Sequence, residues 1–209
     1  MRWLYLHGFA SGPASRKGTE IRAHLRGRAD VQLLDMRVPS FEHLRLSEGV
    51  ARARAAIGEG PAIVMGSSLG GLTAARAAEG NPGVVAAVLL APAFQLARRW
   101  AERDPAQLRR WRETGWLEVD DHTTGGRARV DYGFFEDALA ADVGWPDLRV
   151  PTLVIHGTRD AVVTPGSSRV WAAERPNVTL VEVDDEHELT ASIPRICREV
   201  DLFLGRWLD

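Results

Sequence analysis

The chain alternates short apolar runs with longer segments of helical spacing. Six runs stand out: "WLYL" at 3–6, "VQLLD" at 31–35, "AIVMG" at 62–66, "VVAAVLLA" at 84–91, "TLVIH" at 152–156 and "VTLVEV" at 178–183. Most are continuous rather than alternating, the pattern of strands buried on both faces of a parallel sheet. Between them, residues 14–28, 46–58, 69–80, 166–175 and 189–208 read as helices. In the last of these, Ile193, Ile196, Val200 and Leu204 share one helical face. The strand–helix alternation predicts an α/β fold: a three-layer α/β/α sandwich around a mostly parallel sheet of about six strands, with right-handed crossovers.

One segment breaks the rhythm. Residues 94–146 show no clear strand and hold four of the seven tryptophans (Trp100, Trp111, Trp116 and Trp145), with Tyr132, Phe134 and Phe135. "LARRWAERDPAQLRRWRE" reads as amphipathic helix. So long an excursion in a compact α/β domain is usually functional or disordered, and its aromatic content speaks against disorder. It is expected to be a short helical lid within a single domain spanning 1–209.

Composition narrows the class without changing this picture. A chain of 209 residues can bury roughly 70% of the surface its unfolded form exposes, so it needs no staple. The lone Cys197 cannot form an internal disulfide and reads as a small apolar residue of the last helix. The N-terminus has no signal-peptide pattern, and no apolar stretch approaches the ~20 residues of a membrane span. A cytoplasmic location is the expectation. The net charge of −2 offers no case for a nucleic-acid partner. Lys17 is the only lysine among 26 basic residues. The sequence shows no metal-binding cluster and no histidine pair at ligand spacing, so no metal is expected. Oligomeric state is not legible.

The candidate chemistry starts at "VMGSSLGG", residues 64–71. No lysine follows the glycine pair, which excludes a P-loop, and the dinucleotide fingerprint does not fit. A strand before it and an alanine-rich helix after it exclude a linker. What remains is G-x-S-x-G, satisfied by Gly66-Ser67-Ser68-Leu69-Gly70. Such a serine stands on a tight strand-to-helix turn, and the residues two before and two after it must be small. Centring the motif on Ser67 would put Met65 and Leu69 at the crowded places, so Ser68 is the candidate nucleophile.

A serine hydroxyl needs a base, and the base an orienting carboxylate. His187 in "DDEHEL" and Asp160 in "TRDAVVTP" follow the last two apolar runs, where functional residues of parallel sheets collect. Asp184, Asp185 and Glu186 are rivals for the acid but sit too close in sequence to His187. Among the other histidines, His24 and His43 read as solvated, His122 as a weak pocket candidate, and His156 as packing. The loop "YLHGFASGP" suits an oxyanion hole, with the N–H of Phe9 joining that of Leu69. His7 would brace that loop.

Together "YLHGF", "VMGSSLGG", "VIHGTRDAVV" and "DDEHEL" resemble, in order and over nearly the whole chain, an α/β-hydrolase of the small bacterial serine esterase type. The resemblance implies a Ser68–His187–Asp160 triad, no cofactor, and a sheet that starts at what would be the family's third strand. It implies cleavage of carboxylic esters with small or medium acyl groups, the partner being a small-molecule acyl substrate. A thioesterase acting on acyl-protein or acyl-CoA is the alternative within the class. A ligand-binding protein on a hydrolase scaffold is the alternative outside it. An apolar substrate wall of Trp100, Trp111, Trp116, Phe134 and Phe135 is expected from the insertion.

Overall fold

A computed structural model describes residues 1–208. The strands are β1 (Arg2–Leu6), β2 (Val31–Leu34), β3 (Ala62–Ser67), β4 (Val84–Leu90), β5 (Trp116–Asp121), β6 (Gly126–Asp131), β7 (Thr152–Gly157) and β8 (Val178–Val183). The helices are α1 (Arg16–His24), α2 (Leu46–Ile57), α3 (Leu69–Ala78), α4 (Leu96–Arg103), α5 (Pro105–Thr114), α6 (Gly133–Ala141), α7 (Gly166–Ala173) and α8 (Ile193–Leu204). Six strands form one parallel sheet in the order β2-β1-β3-β4-β7-β8. Each of the six coincides with one of the apolar runs.

The continuous runs are explained by burial on both faces. In β1, Leu4 and Leu6 enter one core while Trp3 and Tyr5 enter the other. In β3, Ala62 and Val64 point one way and Ile63 and Met65 the opposite way. Helices α1 and α8 cover one face through Ile21, Leu25, Ile196, Val200 and Leu204. Helices α2, α3 and α7 cover the other, together with the insertion. Helix α3 is buried along its whole length, and its glycines and alanines let it lie close on the sheet.

The insertion departs from its expected form. Besides helices α4, α5 and α6 it contains an antiparallel hairpin, β5–β6. Leu117 and Val130 are buried, while Glu118, Asp120, Arg127 and Arg129 face outward. A hairpin with one solvated face alternates apolar and charged residues, so it lacks the continuous apolar signature of the main sheet. Ion pairs dock it: Arg37 to Asp121 at 2.8 Å, Arg45 to Asp131 at 2.7 Å, and Arg129 to Glu42 at 2.9 Å. Helix α5 starts where the Asp104 carboxylate accepts from the Gln107 N–H at 2.8 Å, with Pro105 in its first turn. The insertion ends at the buried Arg76, which pairs with Asp142 at 2.7 Å and donates to the carbonyls of Val143 and Gly144. Among the described residues no helix is long and apolar enough to cross a membrane.

Candidate active site

Ser68 stands between β3 and α3 with φ 56° and ψ −119°, a backbone conformation that side chains rarely adopt. The flanking glycines make this turn possible. A Cβ on Gly66 would lie 2.2 Å from the Gly70 carbonyl oxygen, and one on Gly70 would lie 2.2 Å from the Leu6 carbonyl oxygen. Neither position has room for alanine. The Ser68 N–H donates to the Leu90 carbonyl at 2.9 Å, which fixes the turn against β4. Ser67, the neighbouring serine, is buried.

The three candidate catalytic side chains meet, each supplied from the C-terminal end of a strand. His187 Nε2 lies 2.9 Å from Ser68 Oγ, and His187 Nδ1 lies 2.7 Å from Asp160 Oδ2. The other carboxylate oxygen of Asp160 accepts from the N–H groups of Val162 at 2.9 Å and Val163 at 2.7 Å. Burial alone would raise the Asp160 pKa. Hydrogen bonds from His156, His187 and the Val163 N–H outweigh it and hold the carboxyl well below the usual carboxylate range.

His156 has a position that the sequence reading missed. It is fully buried, with Nε2 3.2 Å from Asp160 Oδ2 and 2.8 Å from the Val163 carbonyl, and Nδ1 2.8 Å from Ser168 Oγ. It packs, as expected, but it also fixes the carboxylate that faces His187. The i, i+4 spacing of His156 and Asp160 across a strand end is the signal that was present.

The acidic turn before His187 is structural. Asp185 accepts from the Glu186 and Ser192 N–H groups at 2.8 and 2.9 Å, and Asp184 pairs with Arg159. A Cβ on Gly157 would lie 2.4 Å from the Asp185 carbonyl oxygen, so the end of β7 and the His187 loop touch backbone to backbone.

The loop after β1 approaches from the other side. A Cβ on Gly8 would be 3.4 Å from both Ser67 O and Ser68 Cβ. His7 braces the loop: its Nδ1 lies 2.9 Å from the Gly8 carbonyl, and its Nε2 accepts from the Met36 N–H at 2.9 Å. Burial pushes the His7 pKa down, consistent with a neutral ring between a donor and an acceptor.

Ser68 opens on two spaces of different character. One is a mainly apolar cavity of about 230 Å³, to which Phe9, Leu69, Trp100, Leu117, Val119, Phe134 and Val163 contribute walls. The other is a larger and more polar cleft of about 780 Å³, edged by Tyr5, Ser11, Lys17, His122, His187 and Glu188. Of the five aromatics expected in the wall, Trp100 and Phe134 face the cavity. Trp111 is buried behind them, its centroid 5.2 Å from that of Trp100 and its indole N–H donating to the Val130 carbonyl. Phe135 stacks on Tyr132 at 5.6 Å, away from the cavity. Trp116 lies on the hairpin beneath the Arg129 guanidinium, 4.1 Å from it, and beside His43. Spacing alone could not tell these positions apart, because Trp111, Phe134 and Phe135 are all buried and only the packing of the insertion decides which ring borders the cavity.

Among the described residues no three His, Cys, Asp or Glu side chains gather as a metal set.

Solved structures share this architecture. The alpha/beta hydrolase domain-containing protein 10 from mouse superposes with a TM-score of 0.78 at 18% identity, over 98% of this chain and 89% of that one. Est1E from Butyrivibrio proteoclasticus, with ferulic acid bound, gives a TM-score of 0.76 at 18% identity, over 99% and 89%. The monoacylglycerol lipase of Paleococcus ferrophilus gives 0.73 at 19%, over 98% and 94%. The fold is that of the α/β hydrolases. No curated protein matches the sequence. Residues 2–203 match the model of the Uncharacterised protein family (UPF0227), and the chain belongs to that family.

Proposed function

We propose that the protein is a serine hydrolase that cleaves carboxylic esters through an acyl-enzyme. The observation that carries this reading is the continuous chain of hydrogen-bonding distances from Asp160 through His187 to Ser68, at 2.7 and 2.9 Å, ending on a hydroxyl that faces a cavity. Esterases and a lipase among the proteins of like fold support it.

Ser68 Oγ attacks the ester carbonyl carbon as His187 Nε2 takes its proton. Asp160 holds the imidazole with Nδ1–H toward itself and stabilises the imidazolium. The N–H groups of Phe9 and Leu69 face the developing oxyanion, each worth roughly 3 kcal/mol in comparable sites. The carbon–oxygen bond then breaks, and the alcohol leaves with the proton from His187. Water, activated by the same histidine, releases the acid and restores Ser68. The acyl group occupies the apolar cavity and the leaving group the polar cleft.

Two measurements test this reading. A fluorophosphonate probe should label wild type at Ser68 and leave Ser68→Ala unlabelled. A p-nitrophenyl ester series from acetate to palmitate should be turned over by wild type, with an optimum among the shorter chains that the cavity can hold. An unlabelled, inactive wild type would instead favour a ligand-binding scaffold. Paired oxygen-ester and thioester substrates of one acyl group separate esterase from thioesterase.

A further inference from the structure

The apolar cavity contains an unmatched cation. Arg99 lies half-buried in its wall and Arg103 is exposed at its edge, while among the described residues no acidic one lines it. The acids nearest in electrostatic effect to Arg99 are Asp160, Asp142 and Glu102, and each has another partner. Asp160 faces His187 at 2.7 Å, Asp142 holds Arg76 at 2.7 Å, and Glu102 holds Arg98 at 2.8 Å. Among the described residues Arg99 donates only to backbone carbonyls, from Nε to Phe94 at 2.8 Å and from one terminal nitrogen to Val162 at 3.4 Å. Those contacts use two of its five N–H donors, and Arg99 is among the residues that line the cavity. Burial lowers its pKa, but arginine stays charged throughout the working range of pH.

The cleft across Ser68 is different: the acids Asp120 and Glu188 line it together with Lys17 and the exposed Arg16. There Lys17 donates to the Glu188 carbonyl at 2.7 Å and has the Glu188 carboxylate 3.9 Å away. Its charge is met within the protein. A desolvated charge without a partner is costly, and a planar guanidinium in an apolar wall is shaped to take a carboxylate through paired hydrogen bonds.

We propose that the cavity accepts acyl groups that end in a carboxylate, so that the preferred substrates are monoesters of short dicarboxylic acids. Arg99 binds the distal carboxylate, and Arg103 adds positive potential at the edge. The apolar walls hold the methylenes between the two ends. This inference rests on the acyl-transfer reading above and assigns the acyl group that reading leaves open.

The test compares p-nitrophenyl monoadipate with p-nitrophenyl hexanoate, which match in chain length and differ in the distal carboxylate. In wild type the adipate ester should have the higher kcat/KM. In Arg99→Met the adipate-to-hexanoate ratio should fall on the order of 30-fold or more, the scale of losing one partner of a desolvated charge pair. A wild-type preference for hexanoate overturns the proposal. So does a variant that loses both activities equally, because a purely structural role for Arg99 would leave the ratio unmoved.

A binding measurement separates this inference from the catalytic one. Adipate added to Ser68→Ala should change tryptophan fluorescence saturably through Trp100, and hexanoate should do so more weakly. It needs neither turnover nor the Arg99 variant, so it holds even if Arg99→Met fails to fold. Fluorophosphonate labelling with no adipate response refutes the carboxylate site alone. An adipate response without labelling keeps the site and refutes the acyl-transfer reading.

Discussion

The strand ends and the insertion form opposite sides of one site, and they are built by different rules. Ser68, Asp160 and His187 stand at the C-terminal ends of β3, β7 and β8, each held by backbone contacts that leave little choice of residue. Gly66, Gly70 and Gly157 stand where the backbone passes within about 2.5 Å of any Cβ. The insertion holds its cavity-facing residues by packing, through Trp111, Phe134 and the ion pairs that dock the hairpin. A site fixed by backbone geometry writes a motif into the sequence. A wall fixed by packing writes only a composition. The first is suited to supplying chemistry and the second to setting which substrate meets it.

The largest effects should fall on the strand-end side. Ser68→Ala should cost on the order of 10⁶ in kcat with p-nitrophenyl esters, the scale of other triad serines. Ser67→Ala should still label at Ser68 with the fluorophosphonate, and loss of that labelling would reopen the choice between the two serines. Asp160→Asn should cost about 10⁴ by misorienting the imidazole, as measured in another triad. A near-normal rate in that variant would point to a different orienting acid.

On the insertion side the currency should be stability and selectivity. Trp111→Ala should destabilise the fold by about 3–5 kcal/mol in urea, because the indole is buried. Trp100→Ala should instead shift the preferred acyl length, with a smaller loss of stability. Trp116→Ala should do neither beyond about 1 kcal/mol, since its ring lies on the hairpin's outer side. An unchanged chain-length profile in Trp100→Ala would remove that residue from the wall.

The smallest effect concerns how the hairpin is held. Burial raises the Asp121 pKa, but hydrogen bonds from Thr123 and Arg37 more than offset this and leave it at about 2, below its ordinary value. The folded form therefore binds this proton less readily than the unfolded chain. Its contribution to stability is complete above about pH 4 and fades as pH falls toward 2. Asp121→Asn should thus narrow the fall in Tm between about pH 5 and pH 2.5 relative to wild type. An identical fall in both proteins would mean that Asp121 does not couple hairpin docking to pH.

Legibility followed the same division. All six strands of the main sheet could be read from their runs: "AIVMG" and "TLVIH" are buried on both faces, and the edge strands β2 and β8 stay recognisable although Gln32, Thr179 and Glu182 are exposed. Hairpin β5–β6 could not, since "WLEVDD" and "GRARVD" carry charges at Glu118, Asp120, Arg127 and Arg129 on the solvated face and look like loop. The role of His156 was hidden for another reason. A buried histidine at a strand end has the same sequence appearance whether it packs or fixes a carboxylate, and only the 3.2 Å approach to Asp160 distinguishes the two.

By itself the sequence determined the α/β sandwich, the order of its strands along the chain, and Ser68 rather than Ser67 as the candidate nucleophile. These follow from local constraints: apolar periodicity, and the absence of space for a side chain at Gly66 and Gly70. Only the tertiary structure decided which aromatics face the cavity, that Asp185 serves its own turn, and that Arg99 lies in an apolar wall with its neighbouring acids already engaged. Those facts depend on which distant segments meet. A side chain's partner across the fold is set by the packing of the whole chain, and nothing in its immediate neighbours records it.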